Sequence, residues 1–247
     1  MSIDRKRPAV VAFDGLHRTG KGTQAEKLQS AISRGHMKSV VVRGDGTRNG
    51  LGLHAGDPYS EEWQARGRRL KSPEGNTVEG WNAASYILAR ELTDIVNNNP
   101  DSKDFIIVDR TLLSRAAFLL HRGIHLRGDR LTLDEMYAES EGLSQEEKID
   151  FSAIVPNIIF DLQVDDPREL LNRLDEDDPK YQFRSRNIKG GFDAARVAAS
   201  HIPEDIEERV VRLDALEGID TLHQRVMSHL GRIGLIAQQL SSLSEHD

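Results

Sequence analysis

The chain has 247 residues, enough for one large α/β domain or two small ones. Its net charge of −7 argues against a broad nucleic-acid-binding surface. The absence of cysteine excludes disulfides, thiolate metal sites and cysteine nucleophiles. No apolar run approaches the ~20 residues of a membrane span, and the first one ends at Asp14, too early for an export signal. We therefore expect a cytoplasmic protein that binds neither a membrane nor a nucleic-acid polymer.

Five short runs rich in β-branched residues predict strands. In chain order they are Ala9–Phe13, Ser39–Val42, Phe105–Val108, Asn157–Leu162 and Arg209–Leu213. The helix-like segments between and after them are Lys21–Ser33, Val78–Val96, Leu113–Arg122, Pro167–Leu174 and Ile219–Leu240. Strands that alternate with helices predict a parallel sheet covered by helices on both faces, and continuously apolar strands fit burial on both sides. We expect one domain, residues 1–247, with a polar insert near 123–152.

The loop after the first strand carries the most informative motif. Its pattern from Gly15 to Gly22 is G-x-x-x-x-G-K-G, followed by Thr23. The strict phosphate-loop pattern has Ser or Thr directly after the lysine, whereas here the hydroxyl comes one position later. Glycines let successive N–H groups turn toward a phosphate, and a helix beginning near Lys21 points its positive end at the same place. The alternative is an ordinary strand-to-helix turn, but the lysine in register favours phosphate binding.

A second motif, VDRTLLSRAAF, follows the third strand. A carboxylate at the end of a buried parallel strand lies at the carboxyl edge of the sheet, where α/β proteins bind ligands. Asp109 therefore offers an oxygen ligand for Mg²⁺ or its waters, and Arg110 offers two parallel hydrogen bonds to a phosphate. An Asp–Arg pair at the surface is the alternative, and the neighbouring phosphate loop favours the functional interpretation.

Three stretches together resemble the thymidylate kinase family of nucleoside monophosphate kinases: FDGLHRTGKGTQ, VDRTLLSRAAF and VPNIIFDLQVDDPRELLNRL. At these places the family carries F-E-G-x-D-x-x-G-K-x-T-Q, D-R-Y-x-x-S-x-x-A-[YF] and P-D-L-x-x-x-L-x-V-x-P-x-x-x-x-x-R. The late stretch ERVVRLDALEGIDTLHQRV resembles the family's closing strand and last helix. The match covers roughly half of the chain, in the family's order. It implies the P-loop kinase fold, a three-layer α/β sandwich with a five-stranded parallel sheet, helices on both faces and a mobile lid near 175–190.

The resemblance also implies a reaction and its residues. The reaction transfers the γ-phosphoryl group of ATP, with Mg²⁺ as cofactor, to a nucleoside monophosphate such as dTMP in nucleotide biosynthesis, and family members are commonly homodimers. The implied donor-phosphate ligands are Gly15, Arg18, Thr19, Gly20, Lys21, Gly22 and Thr23. The implied magnesium ligands, directly or through water, are Thr23 and Asp109. The implied catalytic residues are Lys21, Arg18, Asp109, Arg110, Arg184 and Arg186. The implied acceptor-binding residues are Asp14, His17, Arg43, Trp81, Tyr86, Arg110 and Ser114.

Two acceptor positions depart from the family. His17 stands where the family has a loop carboxylate that contacts the acceptor sugar, and Tyr86 stands where an arginine meets the base. A site that reads a base by hydrogen bonds can change its preference by orders of magnitude when a polar partner changes. Two other functions therefore stay open. One is a P-loop kinase of another small molecule, such as a nucleoside, and the other is a nucleotide-binding regulatory protein without transfer activity.

Overall fold

The computed structural model describes residues 8–16, 18–43, 104–110, 156–177, 181–199 and 204–236. Five strands in this part of the chain form one parallel sheet in the spatial order β2-β3-β1-β4-β5. They are β1 (Ala9–Gly15), β2 (Ser39–Arg43), β3 (Phe105–Asp109), β4 (Ile158–Gln163) and β5 (Val210–Asp214). The five predicted strands and their parallel arrangement are confirmed, with ends that agree to within two residues.

Five helices lie in the described residues. They are α1 (Lys21–Arg34), α2 (Pro167–Leu171), α3 (Tyr181–Ala199), α4 (Glu204–Glu207) and α5 (Ile219–Arg232). Each is too short or too polar to cross a lipid bilayer. The helices predicted for 78–96 and 113–122 and the insert near 123–152 lie outside the described residues. That the whole chain is one domain stays a prediction.

The sheet is apolar on both faces, as continuously hydrophobic parallel strands require. In β1, Val11 and Phe13 pack toward α1 and α5, while Val10 and Ala12 are equally buried on the opposite face. Phe13 and Phe160 of the neighbouring β4 stack with ring centroids 5.5 Å apart, a contact worth about 1 kcal/mol beyond the area it buries. The core therefore fixes β1 rigidly, and the loop that follows β1 starts from a rigid base.

The strand order places a crevice at one defined point. β1 leads to β2 on one side of the sheet, whereas β3 leads to β4 on the other side, so the direction of the connections reverses between the adjacent strands β1 and β3. Ligands of open α/β sheets bind at such a reversal, outside the carboxyl ends of the strands. In this chain those ends are Gly15 and Asp109. The two sequence motifs therefore meet at the crevice.

Two predicted helix ends are wrong, each because of a local turn. α2 stops at Leu171 rather than Leu174, since the next residues form four-residue turns, with the N–H of Leu174 donating to the Leu171 carbonyl (2.9 Å). α5 stops at Arg232 rather than continuing toward Leu240. There Gly234 takes a left-handed φ of 72°, and the N–H of Leu235 donates to the carbonyl of Leu230 (3.0 Å). This is the bonding of a glycine-terminated helix.

Candidate active site

The loop between β1 and α1 depends on two glycines for different reasons. Gly15 has a φ of 128°, and a Cβ there would lie 2.3 Å from the carbonyl oxygen of Leu162 on β4. Gly20, which immediately precedes α1, has a φ of 92° with open space around it. Residues other than glycine rarely adopt either backbone conformation. The loop therefore needs Gly15 for close packing against β4 and Gly20 for its backbone direction alone.

The side chain of Lys21 lies inside this loop. Only 6% of the residue is exposed, and its ammonium donates hydrogen bonds to the carbonyl of Leu16 and to the hydroxyl of Thr19 (3.3 Å). That hydroxyl in turn donates to the same Leu16 carbonyl at 2.9 Å. The ammonium is thus held at the N-terminus of α1, where backbone N–H groups and the helix dipole also favour the binding of an anion.

Burial, and to a smaller extent the nearby charge of Arg110, lower the pKa of Lys21 to about 7. The carboxylates of Asp109, Asp14 and Asp161 act in the opposite direction without offsetting the burial. An anion inside the loop would add one more negative charge next to the ammonium, which raises a lysine pKa. The charge on Lys21 near neutral pH therefore depends on what the loop contains.

Asp109 fits the role of a magnesium ligand. Its Oδ2 lies 3.6 Å from the position of a Cβ on Gly22, in the first turn of α1, and its Oδ1 is buried without a hydrogen-bond partner among the described residues. No three acidic, histidine or cysteine side chains in the described ranges form a metal-binding group. Mg²⁺ in phosphoryl-transfer sites needs only one or two carboxylates, because phosphates and waters complete its shell. The donor set therefore suits Mg²⁺ that is bound together with a phosphate.

Thr23, the other predicted magnesium ligand, is exposed on α1. The helix position that faces Asp109 is instead Gly22, where the strict phosphate-loop pattern has its hydroxyl. Since consecutive residues of a helix point about 100° apart, the shift of the hydroxyl by one position matters for geometry. The magnesium role of Thr23 stays a prediction.

Two arginines of the site have left-handed backbones. Arg18 in the loop has a φ of 67°, and Arg110 directly after β3 has a φ of 80°. The Arg110 N–H donates to the carbonyl of Phe13 at 2.9 Å, which ties the end of β3 to β1. Among the described residues the only other non-glycine of this kind is His36, in the turn that ends α1. Such conformations cost free energy and concentrate at functional sites, which supports a functional role for both arginines.

A pair of acidic residues lies beneath the loop. Asp14 is fully buried, and in the β1–β4 pairing it stands directly opposite Asp161, which is 8% exposed. Oδ2 of Asp161 accepts a hydrogen bond from the Gln163 amide at 2.6 Å. Burial raises the pKa of Asp161, while the bond from Gln163 and the charges of Arg212 and Lys21 lower it. Sequence reasoning missed Asp161, although an aspartate inside an apolar strand run is unusual enough to notice.

Residues 181–190 of the predicted lid lie on a helix. Residues 181–199 form α3, which the sequence did not predict, and Ile188 of this helix is fully buried. A Cβ on Gly191 would lie 3.4 Å from Cδ2 of Leu16, so the middle of α3 approaches the phosphate loop directly. Arg184 is half-buried and Lys189 is exposed on this helix. Mobility of the segment and a catalytic role for Arg184 stay predictions.

The remaining predicted site residues are beyond what the structure describes. For the acceptor site these are His17, Trp81, Tyr86 and Ser114. The side chain of Arg186 and that of Arg43 are also outside it, although the backbone of Arg43 pairs with Asp109 in the sheet. The described part of the site therefore holds the residues predicted to bind phosphate and Mg²⁺, and of the predicted acceptor residues it holds Asp14 and Arg110.

Arg173 lies in the stretch VPNIIFDLQVDDPRELLNRL, but sequence reasoning gave it no role. Its guanidinium donates to the carbonyl of Arg18 in the phosphate loop (3.2 Å) and to the carbonyl of Ala215 after β5 (2.9 Å). No local pattern announces these bonds, because the partners lie 155 and 42 residues away along the chain.

Comparison with known proteins relates the chain to solved structures alone. Neither a protein-family model nor a curated protein sequence matches it. The thymidylate kinase of Candida albicans, described as having broad substrate specificity and a novel structural element, superimposes with a TM-score of 0.54 at 14% sequence identity, over 93% of both chains. The thymidylate kinase of Ehrlichia chaffeensis gives a TM-score of 0.49 at 17% identity, over 91% of this chain and 99% of its own. With its five-stranded parallel sheet and phosphate loop, the chain has the P-loop kinase fold of the thymidylate kinases.

Proposed function

We propose that this protein is a nucleoside monophosphate kinase that transfers the γ-phosphoryl group of Mg·ATP to a pyrimidine deoxynucleotide, with dTMP as the expected acceptor. The observation that carries the proposal is the loop between β1 and α1. It holds a buried ammonium, Lys21, at a helix N-terminus and beside the carboxylate of Asp109. A strand-to-helix turn without a ligand gives no reason to bury a lysine at this cost.

In the proposed reaction the protein contributes positioning and charge. The loop N–H groups and Lys21 bind the β- and γ-phosphates of ATP, and Asp109 binds Mg²⁺ directly or through water. The magnesium ion neutralises charge on the phosphates when it is bound. Arg18 and Arg110, on two sides of the crevice, stabilise the negative charge that spreads over the oxygens of the transferring phosphoryl group.

The acceptor is the less constrained half of the proposal. It rests on the resemblance of the three sequence motifs and on the thymidylate kinase fold, while His17 and Tyr86 replace a carboxylate and an arginine of the family. The Candida albicans protein is itself described as broad in substrate specificity. The test must therefore offer many acceptors rather than dTMP alone.

The experiment measures ADP formation from Mg·ATP with a panel of acceptors and identifies each product by mass. The panel contains dTMP, dUMP, the other nucleoside monophosphates and free nucleosides. We expect dTDP from dTMP as the main product. Phosphorylation of a nucleoside but of no monophosphate would replace this proposal with a nucleoside kinase. Tight ATP binding without transfer to any acceptor would favour a regulatory nucleotide-binding protein.

A pair of variants at one position tests the assignment of Arg110. Arg110→Ala removes the guanidinium, and Arg110→Gly removes it while also suiting the φ of 80°. If the side chain acts on the transferring group, both variants lose transfer by at least about a hundredfold and bind Mg·ATP within about threefold of wild type. An equal loss of ATP binding in both variants would show that Arg110 serves the donor site instead.

A further inference from the structure

The bonds of Arg173 join two loops that the chain places far apart. Arg173 lies in the turn after α2, which follows β4, and β4 stands between β1 and β5 in the sheet. From there its guanidinium donates one hydrogen bond to the loop after β1, at the Arg18 carbonyl (3.2 Å). It donates another to the turn after β5, at the Ala215 carbonyl (2.9 Å). One side chain thus spans the carboxyl ends of three adjacent strands.

Both ends of this bridge are well defined. Ala215 is 3% exposed, and its N–H donates to the carbonyl of Gln163 at 2.8 Å, so this end is fixed to β4. The other end is the peptide of Arg18, whose left-handed φ of 67° is unfavourable for a residue with a side chain. A charged donor on the Arg18 carbonyl favours the orientation of that peptide. It therefore stabilises a backbone conformation that Arg18 would otherwise leave.

The position of Arg173 is itself set by a short capped helix. The Asp166 side chain accepts a hydrogen bond from the N–H of Arg168 at 2.9 Å and so caps α2. Two four-residue turns then close the far end, one of them through the hydrogen bond from the N–H of Arg173 to the carbonyl of Leu170 (3.2 Å). Because both ends of α2 are held by hydrogen bonds, the Cα atom of Arg173 has a defined position near the carboxyl ends of the strands.

We propose that Arg173 is a positioning residue that holds the phosphate loop in its left-handed form at Arg18 and couples that loop to the turn between β5 and α5. The inference rests on the proposed function for its catalytic consequence. Arg173 acts through the backbone of Arg18 and so determines where the Arg18 guanidinium points. Loss of the bridge lets the loop peptide rotate. The rotation moves the Arg18 guanidinium away from the transferring phosphoryl group, which lowers kcat more than it lowers the affinity for ATP.

Hydrogen exchange tests the bridge without using activity. In Arg173→Ala, amides in peptides that cover residues 15–21 and 214–219 should exchange about fivefold faster than in wild type, as expected for loss of a charge-assisted hydrogen bond at a partly exposed site. A peptide that covers β3 should keep its exchange rate. Arg168→Ala is the matched control, since this arginine on the same helix bonds only to Asp166 in the described structure. Unchanged exchange in both loop peptides of Arg173→Ala would overturn the proposal.

Kinetics test the coupling to Arg18. Arg173→Ala should lower kcat about fivefold while KM for ATP and the thermal midpoint stay near those of Arg168→Ala. In an Arg18→Ala background the added Arg173→Ala should have no further effect on kcat, because the group it positions is gone. Additive losses would overturn the positioning role. If wild type phosphorylates no acceptor, the proposed function fails, while the exchange result still decides whether the bridge exists.

Discussion

We predict that the proposed binding of ATP to the loop depends on pH because of the buried Lys21. Burial brings its pKa to about 7 in the free protein. At pH 8 such a group is only ~10% charged, whereas a phosphate beside it raises the pKa of the lysine and so restores its charge. We therefore expect each ATP molecule to bring about 0.9 proton onto the protein at pH 8. Affinity for ATP should fall about fivefold from pH 7 to pH 8 and about ninefold from pH 8 to pH 9.

The assay is calorimetric titration with Mg·ATP, without acceptor, in two buffers of different ionisation enthalpy at pH 8. The difference between the two apparent heats gives the number of protons taken up. A second series follows the dissociation constant from pH 7 to pH 9. Lys21→Arg is the control, because a guanidinium stays charged throughout this range. It should bind ATP with an affinity independent of pH and without proton uptake.

Two results would refute this account of Lys21. One is proton uptake near zero at pH 8 in wild type, which would mean that the lysine is already charged in the free loop. The other is equal uptake in Lys21→Arg, which would assign the proton to another group, such as Asp161.

The stability of the free protein gives an independent check. Folding lowers the pKa of Lys21 from 10.5 to about 7, so this group makes the protein more stable as pH rises across that range.

Three further predictions concern single positions. Gly22→Ser places a hydroxyl at the helix position that faces Asp109, where a Cβ would lie at an ordinary contact distance of 3.6 Å from Oδ2. The variant should lower the Mg²⁺ concentration for half-maximal transfer several-fold. An unchanged Mg²⁺ dependence would remove Asp109 from the metal site. Gly15→Ala should lower the free energy of unfolding in urea by roughly 2 kcal/mol or more, because its Cβ would lie 2.3 Å from the Leu162 carbonyl oxygen. Gly20→Ala, which has open space around it, should lower it by about 1 kcal/mol. Equal losses in the two variants would refute the steric argument. His223 is 5% exposed, and neither of its ring nitrogens has a partner among the described residues. Burial, then the charges of Lys27 and Arg34, lower its pKa to about 4. The free energy of unfolding should therefore fall as pH falls from 6.5 toward 4, and His223→Phe should weaken this dependence on pH.

The strands and the start of α1 were predictable because their signals are local. A strand buried on both faces must be apolar at every position, and such runs stand out against a chain with 30% charged residues. α3 was missed for the opposite reason. Its sequence, YQFRSRNIKGGFDAARVAA, contains two adjacent glycines, which have low helical propensity and obscure the helix. Packing of buried Ile188 and of Gly191 against the loop supplies the stability that the local sequence lacks.

The conformation of the site required tertiary bonds that no short motif contains. The motifs pointed to Lys21, Asp109 and the two arginines, but they do not show how the backbones of these residues are held. Arg110 is held by the Phe13 carbonyl, 97 positions earlier in the chain, and the Arg18 carbonyl is held by Arg173, 155 positions later. In both cases the bonded backbone is left-handed, so the fold supports a conformation that the residue itself disfavours. We therefore predict that a chain that keeps every residue of its phosphate-loop motif still transfers more slowly when it loses Arg173. A motif whose strained arginines are held by bonds from elsewhere in the fold is for this reason stronger evidence for a kinase than the motif alone.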